Sequence, residues 1–216
     1  RFTEDPVRML RAVRFAAGLG FFIDMATAAP IPAMSGMLEN IPPARLFEEC
    51  NKLFLSGESV TIYQMLRRFR LFEQLFPATA ALLHEEENHY PHTFLTHVFA
   101  DTDQRVAEDR PVTPAFVLAA LLWHSVHRRW GELAEEDPEL PAEEAMQRAG
   151  GQVLRDQVQH VSVPKRFAEP MREIWHLQAR LERARGKRAL RLLGHPRFRA
   201  AYDFLLLRAR SGEADE

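Results

Sequence analysis

The opening stretch restricts the fold most: Asp5-Pro6 precedes apolar residues at helical spacing, Leu10, Val13 and Ala17, and Gly18 and Gly20 follow them. Proline suits a first helical turn because its missing N–H has no intrahelical acceptor there, and an aspartate just before it can cap the free amides. Glycine at the far end takes backbone angles that other residues resist. The pattern predicts a helix from Pro6 to about Ala17, with Leu10, Val13 and Ala17 toward a core. Arg8, Arg11 and Arg14 step at i+3 round the other side, close enough to act on one ligand. Similar punctuation returns at Ile41-Pro42-Pro43, before Leu46, Cys50, Leu53 and Phe54, and at Thr113-Pro114, before Phe116, Leu118, Leu121, Leu122 and Trp123. No stretch alternates with the period of two that a strand requires. The expected fold class is therefore all-α and multi-helical, packed as one or two small helical domains, divided at residues 1–77 and 78–216.

Charge is distributed unevenly. The formal net charge is −2, yet from Lys165 to Arg210 thirteen Lys or Arg face four Asp or Glu, an excess of nine. A polyanion such as an RNA backbone is the complement of such a surface. Its candidate contacts are Lys165, Arg166, Arg180, Arg183, Lys187, Arg188, Arg191, Arg197 and Arg199. Arg67 and Arg68 join them from the end of a helix expected over Val60 to Arg70, where the helix dipole also favours cations. Trp175 and Tyr202 are expected inside, Tyr202 together with Leu205 and Leu206. The acidic segment Glu132 to Glu144 would repel RNA in the same groove.

Cys50 lies in an apolar helical pattern and reads as a small core residue, which leaves no disulfide framework. The histidines His84, His89, His92 and His97, then His124 and His127, include no His-Asp doublet of the kind that holds metal ions in an HD domain. Where such a doublet is sought the chain gives His124-Ser125, so no metal site is expected. No membrane-length apolar run occurs, and a cytoplasmic setting is expected. The chain opens on Arg1 rather than Met and enters its most specific motif at once, which suggests a fragment.

That motif is Glu4-Asp5-Pro6-Val7-Arg8. A carboxylate and a planar guanidinium one helical turn apart can read the hydrogen-bonding edge of a nucleobase. The stretch resembles the neck motif of the class II nucleotidyltransferases, the superfamily of bacterial poly(A) polymerases and tRNA CCA-adding enzymes. Further words follow in order: Ile41-Pro42-Pro43-Ala44-Arg45-Leu46-Phe47-Glu48-Glu49, Lys52 to Gly57, Leu71 to Pro77, Pro164-Lys165-Arg166, Gly186-Lys187-Arg188-Ala189 and His195 to Asp203. Together they resemble the RNA-binding and arginine-rich regions of bacterial poly(A) polymerases.

The resemblance implies that Asp5 and Arg8 select ATP, the nucleotide substrate, by its base, with Glu4 orienting and Arg11 and Arg14 supporting. It implies RNA 3′ ends as the second substrate and RNA-decay proteins among the partners. Mg²⁺ would be held by paired aspartates after a Gly-Ser in a catalytic head. No Gly-Ser followed by such a pair occurs in these 216 residues, so the fragment is expected to be inactive alone. Arg45 with Glu48 and Glu49 is expected to brace the nucleotide helix. Gly18, where the family often carries lysine, and Pro32 depart from its pattern. A CCA-adding enzyme and a non-enzymatic helical RNA-binding module are the alternatives.

Overall fold

The computed structural model describes residues 1–84, 90–183 and 187–214; the side chains of residues 90–91 and 187–189 lie outside that description, as does His89. Among the described residues every regular element is a helix. In chain order these are α1 (Val7–Leu19), α2 (Met25–Ala28), α3 (Ile31–Met34), a 3₁₀ turn (Ser35–Asn40), α4 (Pro43–Phe54), α5 (Ser59–Arg68), α6 (Phe72–Leu75) and α7 (Pro77–His84). Then follow α8 (Tyr90–Ala107), α9 (Pro114–Glu136), α10 (Ala142–Gln157), α11 (Lys165–Arg183), α12 (Lys187–Leu192) and α13 (Phe198–Arg210). The all-α fold class expected from the sequence is the one observed.

Helix α1 departs from expectation at its far end, continuing through Gly18 to Leu19. Of Gly18 and Gly20, it is Gly20 that is in the left-handed region, at φ 64°, and its N–H bonds to the Ala17 carbonyl while that of Phe21 reaches Ala16. This paired closure requires the positive φ, whereas a glycine inside the last turn costs only ~1 kcal/mol of helix propensity. At the other end Asp5 does serve the helix start, its Oδ1 accepting the Val7 N–H at 3.3 Å.

One continuous cluster of buried apolar side chains runs from Val7 in α1 to Leu207 in α13. At its centre α9 packs on α10 and α11, and α13 packs on α11. Trp175 of α11 is buried, and its Nε1–H donates to the Ala119 carbonyl of α9 at 3.0 Å. The indole lies so close to α10 that a Cβ on Gly150 would sit 3.0 Å from its Cε3, tight enough that Trp175 would have to shift by a few tenths of an ångström. In α13 the buried residues are Ala201, Phe204, Leu207 and Arg208. Tyr202 is 41% exposed and stacks on Phe198, and Leu205 and Leu206 are half-buried, which corrects the expected inward face by part of a turn.

Asp103 of α8 has a role that its own helix does not explain. Its Oδ1 accepts the Ser59 N–H and hydroxyl, both at 2.7 Å, and its Oδ2 accepts the Val60 N–H at 3.1 Å. It caps α5 from a helix more than forty residues away in sequence, joining α5 to α8. Charge-assisted caps of this kind contribute about 2 kcal/mol. Asp103→Ala should lower the free energy of urea unfolding by that amount, with Asp103→Asn recovering part; a loss under ~0.5 kcal/mol would show that the cap is immaterial.

Candidate nucleotide and nucleic-acid interface

The first turns of α1 carry a row of alternating charges. Arg8 donates from Nη1 to Glu4 Oε2 at 2.7 Å and to the Arg1 carbonyl at 3.1 Å. Asp5 Oδ2 accepts from Arg45 Nη2 of α4 at 2.8 Å. One turn further, Arg11 Nη2 lies 3.6 Å from Glu49 Oε1, which also receives Lys52 Nζ at 3.0 Å. The guanidinium of Arg14 sits 5.0 Å over the Phe15 ring, and its Nε is buried without a hydrogen-bond partner among the described residues.

Asp5 and Arg8 are thus both at the helix start, but each is held by a neighbour rather than by the other. The brace on α1 exists with a different pairing from the expected one: Arg45 takes Asp5, Glu49 takes Arg11, and Glu48 is exposed. The reason is the phase of α4. Glu49 falls among Leu46, Cys50 and Leu53 on the buried side, only 3% exposed, so its carboxylate needs counter-charges. Burial pushes the Asp5 carboxyl up, but the Arg45 hydrogen bond and charge, helped by the Val7 N–H, leave it below its ordinary value. Glu4 is lowered chiefly by its hydrogen bond to Arg8. Burial pushes the Cys50 thiol up, consistent with its place in the core.

The basic residues singled out from the sequence separate into two groups. Arg197 Nε is 3.0 Å from Glu173 Oε2, and Arg199 Nε is 3.0 Å from Asp203 Oδ1. Arg166 lies over the Phe167 ring. Arg67 donates from Nη1 to His92 Nδ1 at 2.8 Å and covers the Tyr63 ring, while Arg68 lies over Phe69. By contrast Lys165, Arg180, Arg183 and Arg191 have neither an ion pair nor a ring contact among the described residues. Lys187 and Arg188 have side chains outside the described set.

The histidines are occupied individually. His84 lies 3.8 Å from Glu73, His97 Nδ1 is 3.3 Å from the Ser211 hydroxyl, and His124 Nε2 is 3.1 Å from Glu213 Oε2. No group of three or more His, Cys, Asp or Glu that could hold a metal ion occurs among the described residues. No helix there is long and apolar enough to cross a membrane.

One polar cluster escaped the sequence reading altogether. Glu213, just after α13, accepts from Trp123 Nε1 at 2.6 Å, from His124 Nε2 at 3.1 Å and from Arg208 Nε at 3.2 Å. Arg208 is itself 2% exposed and bonds to Glu182 and Gln178. No local motif announces this set, because its members come from three helices and the tail.

Comparison with known proteins accounts for most of the chain. Residues 138–216 match the family model described as "Polymerase A arginine-rich C-terminus", and residues 20–83 match "Probable RNA and SrmB- binding site of polymerase A". Poly(A) polymerase I of Escherichia coli O157:H7 is 44% identical over 209 residues, which is 97% of this chain and 45% of that protein. The Haemophilus influenzae poly(A) polymerase I is 39% identical over 97% of this chain and 46% of its own length. A multifunctional CCA protein of Shewanella frigidimarina is 38% identical over 86 residues, 38% of this chain. The chain spans about half the length of the poly(A) polymerases that it matches. Residues 20–83 and 138–216 thus carry the RNA-binding and arginine-rich regions described for polymerase A, in a chain similar to poly(A) polymerase I over 97% of its length.

Proposed function

We propose that this chain is the nucleotide-selecting and RNA-binding portion of a cytoplasmic enzyme that adds AMP from ATP to RNA 3′ ends. The observation that carries the reading is the match to poly(A) polymerases across 97% of the chain, where the CCA protein matches 38%. In this reading residues 1–77 form the nucleotide-side domain and 78–216 the RNA-side body. Arg8 donates to the base, Glu4 orients it, and Arg11 and Arg14 supply supporting positive charge. Asp5 accepts from the base through lone pairs left over by Arg45 and Val7, since an ionised carboxylate has about four acceptor sites. The Arg45 contact then does two things, holding Asp5 in place and fixing α1 against α4.

The Mg²⁺ of the parent reaction, which stabilises charge on the transferring phosphoryl group, finds no gathered ligand set among the described residues. The chain's own contribution is to bind and orient, so alone it should not transfer AMP. The run Phe21, Phe22 and Met25, exposed by 67%, 100% and 82%, is where we place a protein partner such as an RNA-decay protein.

The test of base selection uses the full-length enzyme. Arg8→Ala should reduce the ratio of kcat/KM for ATP to that for CTP by roughly 10–100-fold, the value of one good pair of base contacts. Unchanged selectivity would remove Arg8 from the base-reading role. Recovery by Arg8→Lys would show that charge alone suffices, against reading by a planar donor fork.

A further inference from the structure

We infer that RNA crosses the body along one face of α11 and on to Arg155 of α10, and not over the arginines at the start of α13. This rests on the RNA-binding reading above and assigns its path. On a helix with 3.6 residues per turn, Lys165, Arg172, His176, Arg180 and Arg183 project within roughly 80° of one another, a stripe ~27 Å long. Arg155, Lys165, Arg172, Arg180 and Arg183 form no ion pair among the described residues. Glu169 also lies on the stripe, and Glu173 at its margin is taken up by Arg197 at 3.0 Å.

The surface beneath this line is a chain of hollows rather than a flat wall. Arg155 lines both the hollow between α7, α9 and α10 and the next one, of ≈ 380 Å³, between α10 and the start of α11. Arg172 lines that second hollow and a third, floored by Trp175. His176, on the third, lies 3.5 Å from Glu143, which lines a fourth together with Arg180 and Arg183. Cations at the junctions and concavities between them suit a single strand, whose phosphates meet the cations while its bases turn inward. A duplex would meet the cations without using the hollows. Unpaired cations also matter energetically, because a guanidinium already matched to a carboxylate, as in Arg197 and Arg199, must give up that partner before it can replace counterions on a phosphate.

Neither Arg155 nor Arg172 stood out in the sequence. Arg155 precedes the basic region, and Arg172 was counted in its charge but stands apart from the dense cluster at the end of α11.

The experiment measures binding of the 216-residue chain to a single-stranded oligoadenylate by fluorescence anisotropy across a sodium chloride series. Losing two phosphate contacts from a single strand should make the slope of log K against log salt shallower by about 1.4, or binding roughly 25-fold weaker at 0.1 M. The pair Arg155→Gln, Arg172→Gln should show this, and so should the pair Lys165→Gln, Arg183→Gln at the ends of the stripe. The pair Arg197→Gln, Arg199→Gln should leave the slope unchanged. A wild-type slope in both stripe pairs, or the loss appearing in the Arg197 and Arg199 pair instead, overturns the path while leaving RNA binding intact. Binding of a duplex as tight as that of the single strand also overturns it. No binding by the wild-type chain at low salt would sink the RNA-binding reading itself.

Discussion

Replacing Arg208 by methionine should destabilise the chain by about 3–5 kcal/mol, the cost of removing one member of a buried charge cluster and leaving the other in place. The residue is 2% exposed, so the reason cannot lie in solvent contacts. Its Nη1 donates to Glu182 Oε1 at 2.5 Å and to Gln178 Oε1 at 3.2 Å, its Nε donates to Glu213, and its guanidinium centre sits 4.4 Å over the Trp123 ring. Methionine keeps much of the volume and the stacking on Trp123, so the loss measures polar partnership rather than a cavity. Gln178, buried, would lose a donor to its side-chain oxygen, and Glu213 would lose its nearest guanidinium. Combining Arg208→Met with Glu213→Gln should cost clearly less than the two single changes together, since each removes the same pair. Urea unfolding of the three variants measures this, and a single-variant loss under ~1 kcal/mol would show the cluster to be incidental.

Arg208 also shows where a sequence stops being readable. It counts toward the positive excess of the last third, yet it faces the core and has no access to a ligand. Helix starts were legible because a cap and a proline act locally: Thr113 Oγ1 accepts the Phe116 N–H, and Pro114 opens α9, as the sequence suggests. Periodicity was legible to within part of a turn. In α13 it identified an amphipathic helix but placed Tyr202 inside, because the facing elements, and not the helix itself, decide whether Tyr202 or Phe204 meets the core.

The candidate site was legible at the level of residue type. At the start of α1 the structure pairs Glu4 with Arg8, Asp5 with Arg45 and Arg11 with Glu49. Their pairing was not legible, since Asp5 bonds to Arg45, forty positions on, and Arg197 to Glu173, twenty-four back. Such pairs depend on how α1 meets α4 and how α11 meets α13. For the same reason the charge count marked the last third of the chain as basic but could not tell cations matched to a carboxylate from those left open along α11.

Acid should weaken the fold through Glu213. Burial alone would raise this carboxyl, but the hydrogen bond and charge of His124, then the Arg208 charge and the Trp123 hydrogen bond, hold it from an ordinary value near 4.5 down to about 2. A carboxyl depressed on folding stabilises the native state above its unfolded value, and that contribution is lost as pH falls through the folded one. Glu213 should therefore contribute about 3 kcal/mol at neutral pH, declining between about pH 4.5 and 2. His127 acts in the same direction at higher pH. Burial, the main cause, holds it below its ordinary value, so protonation favours the unfolded chain as pH falls below about 6.5. Glu213→Gln removes the lower component, and because the Glu213 charge also raises His127, it should deepen the upper one. In that variant unfolding free energy should be lower at pH 7 and should fall less steeply from pH 4.5 to 2 than in the wild type, the remaining slope coming from other depressed carboxyls such as Asp5 and Glu4. Parallel curves for the two proteins through that window would show that the carboxylate is not what ties the tail to α9 and α13.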